Sequence, residues 1–87
     1  MSYLLIRHKV RDVEAWKAVF DAYEEVRARA GMRTRFLFRN IDDPNEIIVL
    51  FETSDPAKVH AYAASAGLKD AMQRGGVIDE PDFYFLE

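Results

Sequence analysis

Residues 32–53 read MRTRFLFRNIDDPNEIIVLFET, and this stretch decides the fold. From Met32 to Asn40 the sequence alternates, with Thr34, Phe36 and Phe38 on one side and Arg33, Arg35, Leu37 and Arg39 on the other. A period of two predicts a strand. Ile41, Asp42, Asp43, Pro44 and Asn45 are dense in turn formers and predict a hairpin loop. Glu46 to Thr53 then predicts the returning strand. Its run Ile47 to Phe51 is apolar on both faces, which suits a strand in mid-sheet covered on both sides.

Before the hairpin, Tyr3 to Val10 reads as a strand, with Leu4, Ile6 and His8 on one face and Tyr3, Leu5, Arg7 and Lys9 on the other. Asp12 is placed as a helix N-cap. Val13, Trp16, Phe20, Tyr23 and Val26 follow as an inner stripe, while Glu14, Lys17, Asp21, Glu24 and Arg27 take the outer surface. Gly31 supplies a left-handed stop. After the hairpin, Ser54 or Asp55 caps a helix with Pro56 in its first turn, running to about Ser65. A break at Gly67 precedes a short helical turn, Leu68 to Arg74, closed by Gly75 and Gly76. Val77 to Asp82 is a turn-rich approach, and Pro81 stands at the start of a last strand, Phe83 to Leu86. The order is βαββαβ, the ferredoxin-like α+β pattern with a four-stranded antiparallel sheet.

The 87 residues are expected to form one domain, 1–87. A chain this short buries only about 60% of its unfolded surface. It has no cysteine to staple it, yet 49% of its residues are hydrophobic and 13% aromatic. Two helices cover one face of a four-stranded sheet. The other face combines aliphatic residues such as Leu5, Leu37 and Leu86 with Arg7, Arg35 and Arg39, Glu52 being a partner for one of the arginines. The expected outcome is a homodimer through the sheet faces. The net charge of −3 gives no basic footprint for nucleic acid or anionic lipid. Met1 to Val10 is too short and too charged for a membrane span or a secretory apolar region, so a cytoplasmic location is expected.

Several segments resemble small bacterial proteins of the dimeric α/β-barrel superfamily. They are Leu5-Ile6-Arg7-His8-Lys9-Val10 with Asp12, Ala15-Trp16-Lys17, Phe20-Asp21, Leu37-Phe38-Arg39-Asn40, Asp42-Asp43-Pro44-Asn45-Glu46, Val49-Leu50-Phe51-Glu52, Ala71-Met72-Gln73-Arg74, Gly76-Val77 and Phe85-Leu86-Glu87. The group is related to antibiotic-biosynthesis monooxygenases and small polyketide cyclases. The resemblance implies a dimeric α/β barrel with a ligand between helices and sheet. Cofactor-free oxygenases and haem-degrading enzymes of that superfamily use Asn–Trp–Arg or Asn–Trp–His sets. Here Trp16 falls on the first helix, and the end of the first strand reads His8-Lys9-Val10 with no Asn, so that catalytic set does not transfer.

His8 is the candidate catalytic residue, because an imidazole serves as acid or base near neutral pH and this one faces the sheet–helix gap. Packing at the strand end is its alternative role. Trp16, Phe20, Tyr23, Phe36 and Tyr62 are candidate ligand-binding residues, an aromatic wall for a planar molecule; core packing is the alternative. A buried Tyr62 hydroxyl requires a partner. His60 is expected in solvent. No metal or cofactor is expected: two histidines lack ligand spacing, the Asp42–Glu46 loop lacks the repeated ligands and central Gly of a calcium loop, and Gly75-Gly76 lacks the Lys and Ser/Thr of a phosphate loop. Three readings follow. One is a protein that binds or transforms a small aromatic or polyketide-like molecule. Another is a non-catalytic dimerisation module, whose gap would be filled solidly by Trp16, Phe36 and Phe51. The third is an RNA-binding sheet, disfavoured by the acidic charge and the missing RNP1 pattern.

Overall fold

The four strands of the computed structural model, which describes residues 2–87, pair in the order β2-β3-β1-β4. They are β1 (Ser2–Lys9), β2 (Met32–Arg39), β3 (Glu46–Thr53) and β4 (Asp82–Leu86), and every pairing is antiparallel. Helices α1 (Val13–Ala22) and α2 (Glu24–Arg29) lie between β1 and β2, and α3 (Pro56–Ala63) and α4 (Ala66–Arg74) between β3 and β4. This is the βαββαβ order that the alternation and caps indicate. The doubly apolar Ile47–Phe51 run lies in β3, one of the two central strands.

Short polar side chains start the helices. Asp12 accepts from the backbone N–H groups of Glu14 and Ala15, and Asp55 from those of Ala57 and Lys58. Ser65 Oγ accepts from Leu68 N at 3.1 Å. Each such cap contributes about 1 kcal/mol. Ser65 therefore starts α4 earlier than the glycine signal suggests, and Gly67 sits inside that helix rather than at a break. Gly31 has φ 75°, the left-handed stop expected of it.

The core lies between sheet and helices. Leu4, Ile6, Ile47, Val49 and Phe51 come from the strands, and Trp16 and Val59 from the helices. Burying each such side chain stabilises the fold by about 1.5–3 kcal/mol.

The structure corrects two further sequence readings. In β2 the register shifts between Thr34 and Phe36, so that Arg35 is an extra residue in a bulge. One inserted residue reverses the alternation beyond it. Leu37 now opposes Val49 on the core side, while Phe36 opposes Leu50 and Phe38 opposes Ile48 on the open side. Phe36, expected in the gap, is instead 50% exposed on the open face. Arg39 opposes the buried Ile47, so it leaves the open face, and its Nε donates to Pro44 O. The second correction concerns the first helical segment, where Val26 is exposed and Arg27 is buried. Eleven residues are close to three full helical turns, so Arg27 lies directly in line with Trp16.

The open face carries half-buried Leu5, Ile48 and Leu50 and the exposed Phe36, Phe38, Tyr84 and Leu86. Ion pairs border it. Arg7 reaches Glu46 at 3.0 Å, Asp79 at 3.0 Å and Asp82 at 2.7 Å. Glu52 receives Arg35 at 3.1 Å and Arg33 at 3.5 Å. Among the described residues no helix is long and apolar enough to cross a membrane.

Candidate functional site

The central strands bring Ile6, His8, Val49 and Phe51 up beneath α1, and the helices close over them with a cavity of about 50 Å³ left between. His8 lies at this cavity because it continues the inward alternation of Leu4 and Ile6. It is 4% exposed, and neither ring nitrogen has a hydrogen-bond partner. Burial lowers its pKa from 6.5 to about 4, with Asp79 pulling it up and Arg7 pushing it down. The imidazole is therefore uncharged at neutral pH. Such a ring offers one N–H donor and one lone pair, and both are unused here.

An aromatic ladder leads away from His8. Its ring meets Trp16 edge-on with centroids 5.6 Å apart. Trp16 stacks on Phe20 at 4.8 Å, and Phe20 approaches Phe51 at 6.2 Å. The Arg27 guanidinium carbon sits 3.8 Å above the Phe20 centroid. Helical spacing puts Trp16, Phe20, Tyr23 and Arg27 on one stripe, which lines the cavity above the sheet. Gly75 holds the other end of the indole in place. A Cβ there would come within 3.1 Å of Trp16 Cδ1, a tight contact that would press on the indole.

Arg27 is 5% exposed and takes part in none of the ion pairs formed among the described residues. Burial lowers its pKa, while the neighbouring Tyr62, Glu24 and Asp21 raise it. It stays cationic, because a guanidinium does not lose its proton in proteins. Tyr62 neighbours Arg27; burial raises the pKa of the phenol and Arg27 lowers it.

Of the candidates named from sequence, His8, Trp16, Phe20, Tyr23 and Tyr62 come together around one cavity, with Leu68 and Met72 of α4 beside them. Phe36 does not join them. His60 is exposed, its Nδ1 donating to Pro56 O at 2.9 Å and its ring stacked on Phe85 at 3.9 Å, away from the cavity. Arg27 also lines this cavity, although the sequence reading assigned it to the surface. Its distance from Trp16 was the available signal, but its charge and the apolar Val26 beside it pointed the other way. Among the described residues no three His, Cys, Asp or Glu side chains converge to hold a metal.

Comparison with known proteins supports this architecture. No family model matches the chain, and no curated protein matches it. Solved structures do. A protein described as a "putative antibiotic biosynthesis monooxygenase" from Bordetella bronchiseptica superposes with a TM-score of 0.81 at 13% identity, covering 99% of this chain and 94% of that one. One described in the same words from Nitrosomonas europaea gives 0.72 at 14% identity, covering 100% and 97%. SnoaB, a cofactor-independent oxygenase from Streptomyces nogalater, gives 0.70 at 17% identity, covering 95% and 89%. Across its full length the chain thus has the ferredoxin-like fold of the antibiotic biosynthesis monooxygenases. Identities this low establish fold and leave the chemistry to the site itself.

Proposed function

We propose that this protein is a homodimer that binds, and at His8 acts on, a small aromatic or polyketide-like molecule held between its sheet and its helices. The observation that carries this reading is the pair of unpartnered nitrogens on the buried His8 ring, facing a cavity walled by aromatic side chains. Leaving a buried polar group unpaired costs about 1–3 kcal/mol. A ligand carrying a hydroxyl or carbonyl would satisfy it. Aromatic faces at Trp16 and Phe20 suit a planar ring. A neutral imidazole offers a lone pair to a phenol or enol proton, and because burial holds its pKa near 4, taking that proton requires the bound ligand to raise its basicity, as a nearby developing anion does. The fold shared with SnoaB is in keeping with such chemistry.

The cavity of about 50 Å³ has room for ordered water, whereas a cavity that takes up benzene measures about 150 Å³. Binding therefore requires lining side chains to move, and the half-buried Val19, Tyr23, Tyr62 and Met72 are the ones free to do so. The dimer reading rests on the open face: Phe36, Phe38, Tyr84 and Leu86 are an apolar surface that a second copy would cover, with Arg7 and Glu52 already neutralised at its border.

Trp16 is the sole tryptophan of the chain, so its emission reports the cavity directly. Titration with hydroxylated aromatics such as 1-naphthol is expected to quench it saturably, and His8→Ala is expected to weaken binding about tenfold, the equivalent of one lost hydrogen bond. Unchanged emission across a panel of such compounds favours the non-catalytic dimerisation module instead.

A further inference from the structure

The end of the ladder away from His8 carries a cation that forms no ion pair among the described residues. Arg27 is as buried as the core residues around it, lies over Phe20 and lines the same cavity. A guanidinium has five N–H donors in a planar fork. Here Tyr62 is its neighbour, and no carboxylate among the described residues pairs with it. The nearest negative charges, Asp21 and Glu24, are exposed on the outer side of the helical segment. A buried charge without a counter-ion is costly, and a fold retains it where a ligand supplies the opposite charge. The two ends of the cavity therefore differ: an uncharged donor–acceptor at His8, a fixed cation at Arg27, and aromatic faces between.

We propose that Arg27 is the counter-ion for a carboxylate on the ligand, so that the cavity selects planar aromatic carboxylates over neutral aromatics of the same shape. This rests on the reading of the cavity as a ligand site. The carboxylate takes the open side of the Arg27 fork, beside the Tyr62 hydroxyl. The ring lies along Trp16 and Phe20, and the far end of the ligand points to His8. Arg suits this role better than Lys because its fork matches both carboxylate oxygens.

Calorimetric titration of the full chain with benzoate and with benzamide, its neutral isostere, tests the assignment. Benzoate is expected to bind about tenfold or more tighter, the range of a charge-assisted hydrogen bond. Arg27→Met, which keeps the stem packed on Phe20, is expected to bring the two affinities within about twofold of each other by weakening benzoate alone. Arg27→Lys is expected to keep part of the preference, and it serves if the Met variant does not fold. Equal binding of both compounds by the unaltered chain overturns the assignment of Arg27 while sparing the cavity. A benzoate preference that survives Arg27→Met also overturns it. Binding of neither compound overturns the ligand site itself, and this assignment with it.

Discussion

The two faces of the sheet are built from alternate residues of the same strands, yet they end in different states. On the covered face Leu4, Ile6, Ile47, Val49 and Phe51 are buried by the chain's own helices, and what remains is polar: the unpartnered His8 nitrogens, and the Arg27 cation, which no carboxylate pairs among the described residues. On the open face the polar groups are satisfied by ion pairs at Arg7 and Glu52, and what remains unsatisfied is apolar: Phe36, Phe38, Tyr84 and Leu86. An unfilled polar valence inside a cavity calls for a small molecule. An uncovered apolar surface calls for another protein surface, and a twofold copy presents the same one.

Acid tests the covered face, with the larger expected effect. His8 has a folded pKa of about 4 against an ordinary 6.5, so between these values the unfolded chain binds the extra proton. The contribution of the neutral ring is complete above pH 6.5 and is lost as the pH falls towards 4. Denaturant titrations are expected to show the unaltered chain losing about 3 kcal/mol more than His8→Leu between pH 7 and pH 4. The carboxylates held low by hydrogen bonds, Glu46 by Asn40 and then Arg7, and Asp79, against its burial, by the Lys9 backbone N–H and then Arg7, titrate in both proteins, so the difference between the two curves reports chiefly the imidazole. Parallel curves would mean that His8 is not held neutral.

A charge placed on the open face, on its edge strand β2, tests the other half of the comparison. Phe38→Asp is expected to raise the dimer dissociation constant about a hundredfold, close to 2.7 kcal/mol, in sedimentation experiments. It leaves the covered face untouched, so Trp16 emission from the dissociated chain is expected to match that of the unaltered protein. A protein that is monomeric before the substitution contradicts the role given to this face.

How much of this was legible in the sequence follows from how local each signal is. Caps at Asp12 and Asp55, the stop at Gly31 and the doubly apolar run Ile47–Phe51 act through neighbouring residues, and they place all the strands and most helix limits. The inward position of His8 follows from simple alternation with Leu4 and Ile6. The bulge at Arg35 has no such signature. No glycine marks it, and its effect is to exchange the environments of Leu37 and Phe36. Arg27 was misplaced for a different reason. Its spacing from Trp16 was sound, but charge is a poor guide where a cavity, rather than solvent, receives the side chain. Tyr62 reached the site through a helix whose position depends on tertiary packing, so the sequence offered its chemistry but not its place beside Arg27.

The central claim is that His8 is a neutral group held for a ligand. The most direct test is nitrogen-15 NMR of the imidazole at neutral pH, followed during titration with 1-naphthol. An uncharged His8 ring is expected, with nitrogen shifts that move as the ligand saturates while those of His60 stay fixed. A charged His8 at neutral pH, or His8 shifts that stay still while the ligand binds, would contradict the account.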